Sequence, residues 1–322
     1  MLHRPLAALA AVLVALVLAS CGGGDDAAAP PSTAPSTSAA VETTPAPPDF
    51  PVTVEADNGS VTLEEQPDAI VSLSATATES LFSIGAGDQV IAVDDQSNYP
   101  AEAPMTDLSG FQPNVEAIAG YEPDLVIAAY DPGGLVEGLE TLDIPVLLQD
   151  AAPDLDAAYE QIEALGEATG NAEGAETVVE SMRIEIAELA ASAPGAAGAT
   201  VYHELGPDFF TATSDTFIGS VYELFGLVNI ADAAADADAG GYPQISGEYI
   251  LSESPDVIVL ADTKCCEQTS DTVADRPGWD QIEAVANGDI VEADDDIASR
   301  WGPRTVVFVE LMAQALQGIG GP

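Results

Sequence analysis

Positive charge is nearly absent from this sequence of 322 residues. Six Lys and Arg residues stand against 55 Asp and Glu residues, which gives a formal net charge of −49. A chain this acidic repels nucleic-acid phosphates and anionic lipid head groups, so the composition excludes both as partners. Histidine is also scarce, with two residues. Zinc and manganese sites depend on several histidines together with carboxylates, so we expect no resident metal.

The chain also lacks the catalytic signature of the commonest α/β enzymes. No Gly-x-Ser-x-Gly stretch, the nucleophile turn of α/β hydrolases, occurs in it. His203 and Glu204 could serve as a base in a hydrolase, but a lone histidine at a strand end more often has a structural role. We therefore expect a protein that is not an enzyme, with an α/β hydrolase as the less favoured alternative.

Long apolar runs are missing except near the start. Residues 6–18 are apolar and follow Arg4, a length typical of a secretory signal and too short for a membrane span. Residues 18–21 read Leu-Ala-Ser-Cys, which resembles the lipobox of bacterial lipoproteins. The resemblance predicts a lipoprotein signal peptide over residues 1–20 and a lipid anchor on Cys21. A plain cleaved signal is the alternative.

Large apolar residues are also rare in the stretch that follows. Residues 21–50 are rich in Ala, Pro, Ser and Thr, a composition that cannot bury enough surface to offset the entropy of ordering. We predict a disordered tether here, followed by a folded body large enough for two domains.

Cysteine is limited to three residues, of which Cys265 and Cys266 are adjacent. Adjacent Cα atoms lie about 3.8 Å apart, below the usual disulfide range. The pair is therefore either two thiols or a strained bridge that shapes its loop. Contact with a ligand is a further alternative, and metal ligation lacks a nearby histidine.

One segment of the chain occurs twice. Residues 116–129 read E-A-I-A-G-Y-E-P-D-L-V-I-A-A, and residues 248–261 read E-Y-I-L-S-E-S-P-D-V-I-V-L-A. Each copy predicts a short helix, a Pro-Asp turn and a strand whose continuous apolar run suits a buried parallel sheet. Residues 80–86 and 221–227 repeat a second pattern, a short amphipathic helix that ends at a glycine. Two repeats in the same order predict two α/β lobes of one design.

The sequence also predicts a connecting helix, the bounds of the two lobes and the strands of their sheets. Residues 173–193, rich in Ala, Glu and Val, predict one helix of roughly 30 Å, long enough to bridge two lobes. We predict a first lobe over residues 51–170, a connecting helix over 171–195 and a second lobe over 196–322. Predicted strands of the body sheets are 69–73, 90–93, 125–128, 146–148, 200–204, 209–211, 257–260 and 290–291.

Several local motifs converge on one family. They are residues 69–74 (A-I-V-S-L-S), 97–100 (S-N-Y-P), 114–116 (N-V-E), 242–248 (Y-P-Q-I-S-G-E) and 296–300 (D-I-A-S-R). With the repeat and the lipobox, they make residues 68–317 resemble the substrate-binding proteins of bacterial ABC importers for iron complexes and vitamin B12. The resemblance implies two Rossmann-like α/β lobes joined by a single long rigid helix, with the ligand in a cleft between them.

The resemblance also implies roles for particular residues. Glu116 and Glu248, one on each lobe, would pair with arginines of the membrane permease, although an acid at a helix start is also favoured by the helix dipole alone. The residues implied as ligand contacts are Tyr99, Phe111, Phe210, Tyr242, Asp296 and Arg300. For Tyr99, Phe111 and Phe210, packing within a lobe is the alternative. For Arg300 the alternative is a surface ion pair with Asp294 or Asp295.

The function implied is that of a lipid-anchored protein on the extracytoplasmic face of the membrane. It would capture a metal chelate as cargo, with no cofactor of its own, and deliver it to an ABC permease and its ATPase as a monomer. Corrinoid, ferric siderophore and haem remain open as the chelate. For haem, His203 or Tyr242 would have to be the axial ligand. A non-transport surface lipoprotein is a further alternative.

Overall fold

The computed structural model describes residues 50–234 and 240–319, which belong to one compact unit. The predicted signal peptide, Cys21 and nearly all of the predicted tether lie outside the described residues. None of the described helices is long and apolar enough to cross a membrane.

The first lobe is built on a five-stranded parallel sheet with the order β5-β4-β3-β6-β7. An antiparallel hairpin of β1 (Val52–Ala56) and β2 (Gly59–Leu63) precedes it. Every residue of β3, β6 and β7 is buried, as expected for strands covered on both faces. The sheet strands are β3 (Ile70–Leu73), β4 (Val90–Asp94), β5 (Met105–Leu108), β6 (Leu125–Ala128) and β7 (Val146–Leu148).

Four α-helices accompany this sheet. Three of them start at a side-chain cap, because Ser74, Asn114 and Asp154 each accept a hydrogen bond from a backbone N–H in the first turn. The helices are α1 (Ala75–Ser83), α2 (Val115–Ala119), α3 (Leu135–Glu140) and α4 (Leu155–Thr169), with a short 3-10 turn at Gly87–Gln89.

Helix α5 (Ala172–Ala191) is the longest helix described, two residues shorter at its C-terminal end than the sequence predicts. It packs against α4 of the first lobe and against α12 (Thr305–Leu316) of the second. Its buried residues Ala175, Val179, Met182 and Ile186 recur at helical spacing on one face. A single apolar stripe therefore fastens the connecting helix to both lobes.

The second lobe has a four-stranded parallel sheet with the order β11-β10-β8-β9. Its strands are β8 (Thr200–Glu204), β9 (Val228–Asn229), β10 (Val257–Leu260) and β11 (Ile290–Glu292). The helices before α12 are α6 (Phe217–Glu223), α7 (Ala231–Ala234), α8 (Gly247–Glu253), α9 (Ser270–Ala274), α10 (Glu283–Asn287) and α11 (Asp295–Ser299), with 3-10 turns at Pro194–Ala196 and Trp279–Gln281.

The aspartate of the repeated Pro-Asp turn makes equivalent hydrogen bonds in the two lobes. Asp124, before β6, accepts hydrogen bonds from the backbone N–H groups of Asp68 and Ala69, just ahead of the paired strand β3. Asp256, before β10, accepts bonds from the backbone N–H and the hydroxyl of Thr200, the first residue of the paired strand β8. Each aspartate therefore fixes the start of the neighbouring strand.

The second repeat is also present in three dimensions. Gly85 follows α1 with φ of 90°, and Gly226 follows α6 with φ of 67°. Both φ angles are left-handed, a conformation that glycine adopts without steric cost. The predicted fold class, α/β with two lobes of one design, is confirmed.

Some elements differ from the sequence-based prediction. Residues 209–211 form no strand; Phe210 makes one isolated antiparallel bridge with Gln244. Strands β5 and β9 and helices α7, α9 and α11 were not predicted. Strand β5 lies at the sheet edge and β9 has two residues, so neither shows the apolar run of a central strand.

Candidate functional site

A cavity of about 540 Å³ lies between the two lobes. The first lobe lines it with residues at or after the C-terminal ends of β3, β4, β5 and β6, the end of a parallel sheet where ligands commonly bind. The second lobe lines it with Asp295, Asp296, Ser299, Arg300 and Trp301. Walls from both lobes make this cavity the candidate ligand site.

Three aromatic side chains line this cleft. Phe111 is 70% exposed, Tyr130 is 55% exposed, and Trp301 is partly buried. Trp301 is held by a hydrogen bond from its Nε1 to Gln161 Oε1 at 2.8 Å. Together these rings provide rigid, partly exposed contact area for a large ligand.

Arg300 is the basic side chain that lines the cleft, and it is 9% exposed. Its Nη1 donates to Glu79 Oε1 at 2.8 Å and to Asn98 Oδ1 at 3.0 Å. Its Nη2 donates to the carbonyl oxygen of Gln96 at 2.9 Å and to Asp296 Oδ1 at 2.7 Å. Since Glu79, Gln96 and Asn98 belong to the first lobe, this guanidinium joins the two lobes at the back of the cleft.

Two of the carboxylates that line the cleft, Asp94 and Asp296, have shifted pKa values. Burial alone would raise the pKa of Asp296, but hydrogen bonds from Lys264 and Asn98 and the charge of Arg300 lower the pKa of this group. Burial raises the pKa of Asp94, although Ser97 donates a hydrogen bond to it at 2.6 Å.

Asp295 organises the loop that carries the adjacent cysteines. It accepts hydrogen bonds from the Thr263 hydroxyl and from the backbone N–H groups of Lys264 and Cys265, at 2.8 to 3.0 Å. Cys265 and Cys266 form a disulfide, the bridged one of the alternatives left open by the sequence. The bridged loop therefore sits directly behind a carboxylate of the cleft.

The structure separates the six predicted ligand contacts into two groups. Phe111, Asp296 and Arg300 line the cleft, while Tyr99, Phe210 and Tyr242 are 41 to 46% exposed and do not line this cavity. The ring of Tyr99 lies under the guanidinium of Arg304, 4.3 Å from its centroid. Their roles as ligand contacts stay a prediction.

Glu116 and Glu248 occupy equivalent positions on the two lobes. Each is the second residue of its helix, α2 or α8, and each is exposed. Asn114 and Ser246 cap the two helices by accepting a hydrogen bond from the same backbone position. The two glutamates therefore have the same local environment, as expected for a symmetric pair that docks on the permease. Their docking role stays a prediction.

Sequence reasoning missed Tyr130 and did not assign Trp301 to the cleft. Tyr130 comes two residues after β6. A polar or aromatic residue that directly follows a buried parallel strand is a recognisable signal, because the ends of such strands meet at one edge.

A buried polar cluster occupies the second lobe away from the cleft lining. Glu204 is fully buried and forms a two-pronged ion pair with Arg276, whose guanidinium lies over the ring of Trp279. His203 is fully buried, with its Nδ1 against the Tyr222 hydroxyl, and burial lowers its pKa to about 3. Neither His203 nor Glu204 lines the cleft. Within the described ranges, no group of three His, Cys, Asp or Glu side chains could hold a metal ion.

The fold is that of a two-lobed solute-binding protein. Each α/β lobe has a parallel β-sheet, a long helix packs on both lobes, and a cleft lies between them. The family model for periplasmic binding proteins matches residues 70–297. The chain belongs to this family, and it is an extracytoplasmic substrate-binding protein of the kind that serves ABC importers. The predicted family is confirmed.

Three relatives show the extent of the similarity. The ABC transporter substrate-binding lipoprotein YvrC of Bacillus subtilis is 31% identical over 278 residues, which cover 83% of this chain and 86% of YvrC. A cobalamin-binding protein of Halobacterium salinarum is 34% identical over 277 residues, which cover 83% of this chain and 74% of that protein. The crystal structure of the vitamin B12-binding protein BtuF of Vibrio cholerae has a TM-score of 0.64 and 26% identity, covering 78% of this chain and 97% of that one.

Proposed function

We propose that the cleft captures a metal chelate, a corrinoid or a ferric siderophore, and that the protein delivers it to an ABC permease and its ATPase without a catalytic step. The observation that carries the proposal is the open cavity of about 540 Å³ with walls from both lobes and three aromatic rings. Large flat rings suit a macrocycle or a compact chelate. The names of the Halobacterium and Vibrio relatives support the corrinoid alternative.

Phe111, Tyr130 and Trp301 would supply the apolar contact with the ligand, and Asp296 and Arg300 the polar wall. Tyr99, Phe210 and Tyr242 would contact peripheral groups of a ligand that extends beyond the cavity. Their motif positions and exposed rings support this role.

Glu116 and Glu248 would bind the permease and leave the ligand untouched. Two glutamates at equivalent helix starts form a symmetric pair of negative charges. Pairing of these charges with positive charges of the permease would fix the orientation of the bound protein and raise the rate of its association. Because Glu116 and Glu248 are exposed and outside the cleft lining, docking and ligand binding would be separable.

The protein would act as a monomer held at the outer face of the membrane by the lipid on Cys21. Haem is a less favoured cargo. His203 is fully buried against Tyr222, so an axial ligand would have to come from a tyrosine.

The test is calorimetric titration of the purified protein with cyanocobalamin, ferrioxamine B and haemin, paired with tryptophan fluorescence. Trp301 lines the cleft, whereas Trp279 is buried in the second lobe. Binding should quench the wild type more strongly than Trp301→Phe, which retains only Trp279. Absence of saturable binding for every chelate would overturn the proposed function.

A further inference from the structure

The basic side chains of the described residues are all paired with carboxylates. Arg183 and Lys264 form exposed pairs, while Arg276, Arg300 and Arg304 form largely buried ones. The carboxylate partners are Asp156 for Arg183, Asp294 and Asp296 for Lys264, Glu204 for Arg276, Glu79 and Asp296 for Arg300, and Glu79 for Arg304. Within the described part of the chain, no cation is therefore left over to bind an anionic ligand.

Among these cations, Arg300 is the one that a bound ligand could reach, because it lines the cleft. A guanidinium has five N–H donors, and four hydrogen bonds already join this one to protein oxygens. If Arg300 turned toward an anion, it would leave Glu79, which is 1% exposed, with less compensation for its buried charge. Arg300 is thus fixed by the protein and is not a free anion receptor.

The carboxylates of the cleft are not balanced in the same way. Asp94, Asp295 and Asp296 line it together with that one guanidinium. Asp296 is already shared between Arg300 and Lys264. The lining is negative even without counting the strongly acidic surface around it.

We propose that this cleft accepts chelates with no net negative charge and rejects anionic chelates, so that uncharged corrinoids and uncharged or cationic ferric hydroxamates are its cargo class and anionic catecholates and haem are not. This inference rests on the proposed function. An added carboxylate on the ligand meets like charge in a partly dehydrated space, where the repulsion is larger than in bulk water. Among the described residues that line the cleft, no unpaired cationic side chain offsets this repulsion.

The experiment uses the full chain purified in detergent and two sets of matched ligands. The first set is ferrioxamine B with its terminal amine free, acetylated or succinylated, which makes one iron core cationic, neutral or anionic. The second set is cyanocobalamin and its monocarboxylic acid, in which one side-chain amide has become a carboxylate. In the set whose core binds, we expect the anionic member to bind about tenfold more weakly, the order expected for like charges several ångströms apart. Raising the salt concentration should reduce the difference.

A variant tests whether the discrimination comes from the cleft. Asp296→Asn removes a cleft carboxylate and a partner of Arg300 and Lys264, so the ratio of neutral to anionic affinity should fall several-fold. Asp156→Asn is the matched control: it also removes one negative charge and one cation partner, but its side chain is 79% exposed and outside the cleft. The control should keep the wild-type ratio.

The outcomes separate the two proposals. If neither core binds in any charge state, the proposed function fails and this inference fails with it. If a core binds and its anionic member binds equally well or better, the proposed function stands and this inference is wrong. Equal ratios in Asp296→Asn and Asp156→Asn would place the source of selectivity outside the cleft and would also overturn it.

Discussion

Glu79 of the first lobe and Arg304 of the second form a largely buried ion pair between the lobes, with Arg304 Nε 2.8 Å from Glu79 Oε2. Glu79 also accepts a hydrogen bond from Arg300, and its side chain is 1% exposed. Two cations of the second lobe thus converge on one carboxylate of helix α1. These ion pairs, together with the packing of α5 on α4 and α12, join the two lobes.

Replacing Glu79 with Gln should therefore destabilise the protein strongly. The change leaves two buried guanidiniums without their shared carboxylate, and breaking a buried pair in this way typically costs about 3–5 kcal/mol. Urea denaturation measures the loss. Asp156→Asn breaks the exposed pair with Arg183 and should cost at most about 1 kcal/mol. Similar losses of stability in the two variants would contradict this role of the Glu79 ion pairs.

The cleft aromatics should carry much of the ligand affinity. Phe111→Ala and Tyr130→Ala should each weaken chelate binding by roughly 1–3 kcal/mol through lost contact area. Tyr121→Ala, which removes a 40%-exposed ring outside the cleft, should leave affinity unchanged. Calorimetry on the three variants makes the comparison.

Tyr99→Ala and Tyr242→Ala belong in the same series, and a sequence-based prediction assigns each of them a loss of roughly 1–3 kcal/mol. If both variants bind as the wild type does, these two tyrosines are not ligand contacts. The interpretation of Phe111 and Tyr130 would be unaffected.

The docking pair should separate transport from binding. Glu116→Gln with Glu248→Gln should abolish chelate uptake while affinity in solution changes by no more than a factor of a few, since an interface charge pair that loses one partner typically costs about 2–5 kcal/mol. Glu122→Gln with Glu253→Gln is the matched control and should transport normally; Glu122 lies three residues after α2, Glu253 is the last residue of α8, and both acids are exposed. A large loss of affinity in the first variant would place the two acids in the ligand site.

The lipid anchor is testable by one substitution. Cys21→Ser should leave the protein unprocessed or release it from the membrane, because a hydroxyl cannot accept the thioether-linked lipid. Fractionation followed by mass spectrometry of the N-terminal peptide reads the outcome. An unmodified Cys21 in the membrane fraction of the wild type would rule out this anchor.

Stability should depend on pH through two buried groups with opposite effects. Burial, with the nearby charge of Glu204, raises the pKa of Asp262 from 3.8 to about 7, so its contribution to stability is lost as pH rises through about 7. Burial lowers the pKa of His203 from 6.5 to about 3, so its contribution is lost as pH falls below 6.5. In the wild type the two effects oppose each other over nearly the same window.

Asp262→Asn should remove the contribution of Asp262 to the pH dependence of stability and leave that of His203. Among the described residues, neither carboxylate oxygen of Asp262 has a hydrogen-bond partner. The variant should gain stability over the wild type by roughly 2–4 kcal/mol as pH is raised from 4 to 8, leaving the acid sensitivity of His203. Thermal unfolding across this range, with the exposed Asp208→Asn as control, measures the gain. A pH-independent difference would refute the assignment.

The sequence allowed the repeats and the buried strands to be predicted because their causes are local. Proline and aspartate set the turn, apolar runs set β6 and β10, and glycine sets the helix ends at Gly85 and Gly226. The exposed helix-start positions of Glu116 and Glu248 followed from the same repeat. Edge strand β5 lacked such a local cause and was missed.

The cleft lining, in contrast, was predictable only in part. Phe111, Asp296 and Arg300 line it, but no sequence pattern indicates that Arg300 donates hydrogen bonds to four protein oxygens. That outcome depends on Glu79, Gln96 and Asn98, some two hundred positions away in the chain.

The sequence by itself therefore determined the local units, their duplication and the strongly negative charge, since each depends on neighbouring residues or on composition. Only the tertiary structure decided which side chains meet between the lobes. Packing the lobes against α5 brought Arg300 and Arg304 to Glu79 and left Phe111, Tyr130 and Trp301 lining the cleft. Such contacts follow from the relative placement of whole lobes, which no short-range pattern in the chain encodes.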